Sequence, residues 1–224
     1  GMFIENYGHG GVYVTATNAT NSALVSGYFD GIFARNYSGG AIDITVDNVE
    51  SQQSSGVDAY NDASGTSLSL TGYGTLSGYE NGAFLNNEGT GDLIVNISNP
   101  DGTALAEGTY SGVDAYNENG GAVDVTVDNA TGTNYYGIAA QNDASGTSLS
   151  VTSAGTTSGG YYAIIARNYG SGDLTVNSTN ADGTAQATGG RTGIYARNTN
   201  GGAIDISANN VTGTTINGIE AYND

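Results

Sequence analysis

The side chains able to do chemistry in this chain are lopsided in kind: 22 aspartates and glutamates face four arginines, with one histidine, no cysteine and a formal charge of -18. Clustered carboxylates beside a histidine, lysine or arginine would serve acid-base or glycoside chemistry, and carboxylates alone would serve a hard cation such as calcium. The spacing favours neither. Asp43, Asp124 and Asp205 recur at matching positions only in every third repeat, a separation of about 14 Å once the repeats are stacked. That is too far for a carboxylate pair or a shared ion. His9 has no triad partner identifiable in the sequence, and the run Gly89, Gly91, Asp92 lacks the doubled glycine and the spacing to aspartate of a calcium-binding nonapeptide. The chain is therefore read as a non-enzyme with no cofactor. Structural calcium stays open, because 22 carboxylates allow many oxygen-rich arrangements. Without cysteine there are no disulfides or thiolate metal sites. The negative charge repels phosphates and anionic lipid, so nucleic acid is excluded as a partner. Direct membrane insertion is excluded too, since no run of about 18 apolar residues occurs.

What positions these residues is a repeat. A hexad of the form Gly-apolar-x-Ala-x-Asn begins at residues 1, 31, 56, 82, 112, 137, 163, 193 and 218, with Ala163 once replacing the glycine. The intervals cycle through 30, 25 and 26 residues, giving an 81-residue super-repeat. Within a repeat, apolar and polar residues alternate, the period of a strand. Ile32 and Ala34 point inward, followed after a turn by Ile42, Ile44 and Val46; the 30-residue repeats add a third inward pair such as Ala104 and Ala106. One such unit cannot bury its apolar side alone, but a stack of them makes a continuous thin core. The expected fold is all-β: a right-handed parallel β-helix, or β-solenoid, of nine rungs and roughly 40 Å in length. Residues 1–224 form a single segment of it, expected to be an excerpt of a longer array without its own export signal.

Two further columns fix the register. Asparagine ends the hexad in all nine rungs, at Asn6, Asn36, Asn61, Asn87, Asn117, Asn142, Asn168, Asn198 and Asn223, where stacked amides can bond to the backbone and to each other. Glycine follows four residues later in the eight complete rungs, which implies a turn needing positive φ or a close backbone approach. A second set, Asn18, Asn48, Asn99, Asn129, Asn180 and Asn210, marks another corner. The 26-residue rungs carry one extra residue after the turn glycine, for which a β-bulge is expected to compensate.

On the outward side of the hexads stand Phe33, Arg35, Tyr60, Phe84, Tyr116, Arg167, Tyr195, Arg197 and Tyr222, together with Phe3 and Glu5. They are the candidate contact face, expected as a stacked aromatic surface on which Glu5 pairs with Arg35 and Arg167 neighbours Arg197. No Thr-x-Thr ladder of the ice-binding kind runs through all rungs.

The rungs Gly31-Ile32-Phe33-Ala34-Arg35-Asn36 and Gly193-Ile194-Tyr195-Ala196-Arg197-Asn198, each leading into Gly-Gly-Ala-Ile-Asp-Ile, resemble the repeats of bacterial autotransporter passengers, including AIDA-like self-associating adhesins. The resemblance covers the whole chain. It implies display on the bacterial cell surface and adhesion, autoaggregation or biofilm formation, with partners that are copies of the chain or surface molecules of a host or neighbouring cell. The alternative is a structural subunit of an extracellular filament built by end-to-end stacking of β-solenoids.

Overall fold

Runs such as Ile42-Asp43-Ile44-Thr45-Val46 set β-branched side chains on one side and polar ones on the other, which suits a pleated, half-buried strand. Burial follows that alternation: Ile42, Ile44 and Val46 are buried, while Asp43 is exposed. The computed structural model describes residues 1–224 as 25 strands with no helix. They lie in three sheets of nine, eight and eight strands, all neighbours being parallel and three strands apart in chain order. Each rung thus gives one strand to each sheet, and the chain is a three-sided β-solenoid. Sheet 1 holds the hexads, from Met2–Asn6 to Ile219–Asn223; sheet 2 runs from Val12–Ala16 to Ile204–Ala208; sheet 3 runs from Leu24–Gly27 to Asn210–Gly213. Register follows the 30-, 25- and 26-residue spacing, with Ile32 opposite Met2, Val57 opposite Ile32 and Ala83 opposite Val57.

The third strand is present in every rung, not only in the 30-residue ones. Val25, Val49, Leu76, Ala106 and Ala130 share its inward column, and only one corner residue, Asp47, separates the strand Ile42–Val46 from Asn48–Ser51. A four-residue strand holding one inward apolar side chain gives too little alternation to be read from sequence. The extra residue of the 26-residue rungs is also placed differently from expectation. Asn61 pairs with Asn36 and Leu68 with Ile42, so it is absorbed in the turn between 61 and 68, and the strand Leu68–Gly72 keeps a regular inward alternation with no bulge. A turn absorbs a residue without breaking ladder hydrogen bonds, whereas a bulge would break them.

The turn glycines divide by cause. Gly40, Gly121 and Gly202 have φ values of 80, 72 and 77°, conformations suited to glycine. Gly65 does not; a Cβ there would lie 2.2 Å from the Asn61 amide oxygen, so this glycine makes room for the ladder.

Asn36, Asn61, Asn87, Asn117, Asn142, Asn168 and Asn198 are all buried. The Nδ2 of Asn36 donates to Asn61 Oδ1 at 2.9 Å, Asn61 to Asn87 at 2.9 Å and Asn87 to Asn117 at 2.8 Å. The same amides donate to turn carbonyls, Asn61 to Ser67 and Asn87 to Gly91. Each of these three asparagines therefore ties its rung to the next and also closes its own turn. The ladder is interrupted between Asn142 and Asn168, where Asn142 instead donates to the carbonyls of Gly121 and Ser148. The second asparagine set is two devices, not one column. Asn99 closes its own corner, accepting from the amides of Asp101 and Thr103, while Asn129 begins a sheet 3 strand and donates to the carbonyls of Gly102 and Ala104. Between them lie buried corner carboxylates. Asp47 Oδ2 accepts from the amides of Asn18 and Ala23, and Asp128 Oδ2 from those of Asn99 and Ala104, so each pins the longer loop of the rung below. Their signal was the triplet Val-Asp-Asn at 46–48 and 127–129.

Replacing Asn61 by alanine removes three buried hydrogen bonds, from Asn36 and to Asn87 and the Ser67 carbonyl, and should cost roughly 2–3 kcal/mol. Gly82→Ala puts a Cβ 2.6 Å from Glu107 N and Gly112 O and should cost about 2 kcal/mol or more. Asp43→Asn on the exposed face should stay within about 0.5 kcal/mol. Urea unfolding followed by far-ultraviolet circular dichroism measures all three; an Asn61 effect as small as that of Asp43 would remove the ladder from its central place.

Candidate functional site: the outer face of sheet 1

The outward residues of the hexads form two adjacent columns. One runs Phe3, Phe33, Asp58, Phe84, Asp114, Ala139, Ile165, Tyr195, Glu220; the other runs Glu5, Arg35, Tyr60, Asn86, Tyr116, Gln141, Arg167, Arg197, Tyr222. The nine residues of the candidate contact face thus lie on one sheet face, with Phe33, Phe84 and Tyr195 in the first column and the other six in the second. They do not form one continuous stack. Phe3 and Phe33 stack face to face at 4.8 Å, Phe84 and Tyr116 tilt together at 6.3 Å, and Tyr195 meets Tyr222 at 5.7 Å. Asp58 and Asp114 separate these groups because the hexad Gly-Val-Asp-Ala-Tyr-Asn, at 56–61 and again at 112–117, places a carboxylate between Phe33 and Phe84 in the first case and between Phe84 and Ala139 in the second.

The expected pair of Glu5 and Arg35 is replaced by another. Arg35 is opposite Glu5 in the register, yet its guanidinium turns the other way, lying 3.9 Å over the Phe33 ring and 2.8 Å from the Asp58 carboxylate. Asp58 is more enclosed than Glu5, so the cation relieves a larger desolvation penalty there while stacking on an aromatic face. Arg167 and Arg197 are neighbours as expected. Their like charges diverge: Arg197 pairs with Asp224 at 2.7 Å, and Arg167 lies 5.7 Å over Tyr195.

A second aromatic group lies where the hexad pattern gave no expectation. Tyr136 and Tyr162 precede the hexad start, and the pairing register steps over the residue between them and the inward Ile138 and Ile164. That interruption of alternation brings Tyr162 to the same outer face as Ala139 and Ile165, with Tyr136 and Tyr195 packed against them. Tyr135 and Tyr161 flank the group at the edge, each touching the tyrosine that follows it. The doublets Tyr135-Tyr136 and Tyr161-Tyr162 stand in the sequence just before the hexads, outside the positions that the hexad pattern covers.

Asp114 lies at the centre of this face. Its Oδ1 is sealed from solvent and has no hydrogen-bond partner. Burial pushes the carboxyl up to about 7, opposed in part by the Tyr116 hydroxyl. Burial also raises Asp58, where the hydrogen bond and charge of Arg35 act against it. Burial, with help from Glu88, pushes the Tyr60 hydroxyl up to about 12.

The other faces are periodic and mostly polar, with Tyr13, Ile94 and Leu24 as exposed apolar exceptions. One outward column of sheet 2 reads Thr15, Thr45, Thr71, Asn96, Thr126, Thr152, Asn177, Ser207, a short hydrogen-bonding side chain in every rung. Asp43 and Asp124 stand three strands apart in the column beside it. No three histidine, aspartate or glutamate side chains gather around a common point where an ion could be held. Comparison with family models, with curated proteins and with solved structures gives no match. Fold and surface together define a three-sided parallel β-solenoid with an asparagine spine and periodic outer faces.

The folded-state carboxyl of Asp114 lies above its unfolded value of 3.8, so the folded chain binds the extra proton between about pH 4 and pH 7. Stability from this group is therefore present at low pH and lost as pH rises through that window. Asp114→Asn should raise the melting temperature at pH 8 and change it much less at pH 5. Equal shifts at both pH values in calorimetry would place the carboxylate in solvent.

Proposed function

We propose that this chain is a non-catalytic, extracellular adhesion segment that works by laying its long faces against copies of itself or against surface molecules of neighbouring cells. The single observation carrying this reading is the sheet 2 column, whose short polar side chains repeat once per rung in one line. Threonine, asparagine and serine all donate and accept. A second rod laid alongside can meet many such groups in register, and weak contacts joined on a rigid scaffold act together far more strongly than singly. The resemblance of the rungs to autotransporter passengers supports cell-surface display. A rod that presents its chemistry as repeated columns along its length is also better suited to extended contact than to turnover of one small substrate.

Charge of -18 per chain opposes lateral pairing. Association should therefore strengthen as salt screens it over the roughly 8–10 Å Debye length of 0.1–0.15 M solution. Sedimentation velocity at 20 and 300 mM salt should show a monomer giving way to dimers or larger lateral bundles, and Thr71→Asp with Thr126→Asp should reverse this. A wild-type monomer at every salt and calcium concentration overturns the reading. Single-file fibres in electron micrographs would favour the filament alternative.

A further inference from the structure

The verbatim hexad Gly-Val-Asp-Ala-Tyr-Asn is used twice, at 56–61 and 112–117, in nearly the same surroundings. In both places a phenylalanine from the preceding rung lies next to the aspartate in one outward column: Phe33 beside Asp58, and Phe84 beside Asp114. In both places the hexad tyrosine stands in the second column. The copies differ at the position opposite that tyrosine, which is Arg35 in the first and Asn86 in the second.

The first copy is complete. The Arg35 guanidinium stacks 3.9 Å over Phe33, lies 5.9 Å from the Tyr60 ring and reaches Asp58 at 2.8 Å. The second has the ring, the carboxylate and the tyrosine, but Asn86 directs its amide to Glu118 at 3.2 Å and supplies no charge. Asp114 has the Tyr116 hydroxyl beside it but no ion-pair partner; its Oδ1 is sealed without a donor just as Asp58 Oδ1 is in the first copy, so what distinguishes the two copies is the missing cation. Tyr116 leans to within 6.3 Å of Phe84, on the side from which Arg35 enters in the first copy. The other side is open: a cleft of about 360 Å³ has Asp114, Asn81 and Ser111 among its lining and Phe84, Tyr110, Tyr135 and Tyr136 as aromatic walls.

We propose that this cleft binds a guanidinium group supplied by another molecule, held over the aromatic walls by Asp114 as Arg35 is held over Phe33 by Asp58. The chain provides its own precedent for the chemistry. Aromatic rings present their negative faces to a cation, and a poorly solvated carboxylate gains most from a planar group able to donate several hydrogen bonds. A surface with 22 acidic and four basic side chains raises the local concentration of any such cation. This goes beyond lateral association and stands without it, because the cleft lies on sheet 1 of a single chain.

The test uses the monomeric chain at low salt and pH 8, with ring-labelled phenylalanine read by NMR, since only four phenylalanines are present. Methylguanidinium should shift the Phe84 signal saturably, while urea, its neutral planar counterpart, should not. Asp114→Asn should weaken binding about tenfold or more. Asn86→Arg should build the missing cation in place and abolish binding, while both variants keep the wild-type circular dichroism. Acetyl-Gly-Arg-Gly-amide binding as tightly as methylguanidinium would identify the group as a polypeptide arginine, and exclusion of the peptide would identify a free small molecule. Equal response to urea, unchanged affinity in folded Asp114→Asn, or no saturable shift at Phe84 overturns the proposal.

Discussion

In a stack of like rungs, every group in an inward column meets its own equivalent one rung above and below before it meets anything from the facing sheets or turns. That constraint selects the side chains. An apolar residue can stack on an apolar residue indefinitely, but a buried polar group is tolerated only if its self-pairing is satisfied. Asparagine meets the condition because a primary amide donates and accepts, so that Asn36, Asn61, Asn87 and Asn117 form a chain of bonds in which each amide also has donor capacity left for a turn carbonyl. A buried column of aspartates would instead accumulate like charge. Asp47 and Asp128 occur as isolated corners, three strands apart and each surrounded by backbone amides.

The same constraint divides the molecule into an interior that varies little and a surface free to vary. Inside, a change in one rung is felt by both neighbours, and the inward columns hold to Ile, Val, Leu and Ala with few departures. Thr157, buried in sheet 3, is one of them, and it meets the Ser153 hydroxyl, which keeps the pair satisfied. Outside, neighbouring rungs differ freely, as where Phe33 and Phe84 flank Asp58. A repeated backbone with unequal surface columns is a scaffold on which contact chemistry can differ from rung to rung without disturbing the fold.

Glycine regulates the boundary between the two. At the hexad start a Cβ at Gly82 would collide with the backbone of the next rung and of sheet 3, and the sheet 1 strand is able to bend there. The pairing register skips this position both where it is Gly137 and where it is Ala163, and there Tyr136 and Tyr162 come together in an aromatic group on the outer face.

By itself the sequence determined the rung boundaries, the all-β parallel stack, the inward columns and the asparagine spine. In one-dimensional stacking the partner of a residue is its own copy one period later, so periodicity is equivalent to a contact map. Only the tertiary structure decided the third sheet in the shorter rungs, the turn that absorbs the extra residue, the choice of Asp58 over Glu5 by Arg35 and the outward position of Tyr162. Those features depend on neighbours that the period does not name: diagonal side chains, the adjacent sheet, and the relative solvation of a carboxylate directly opposite and one diagonal to it. Long outward side chains choose among such neighbours by local energy, and that choice appears only once the rungs are in place.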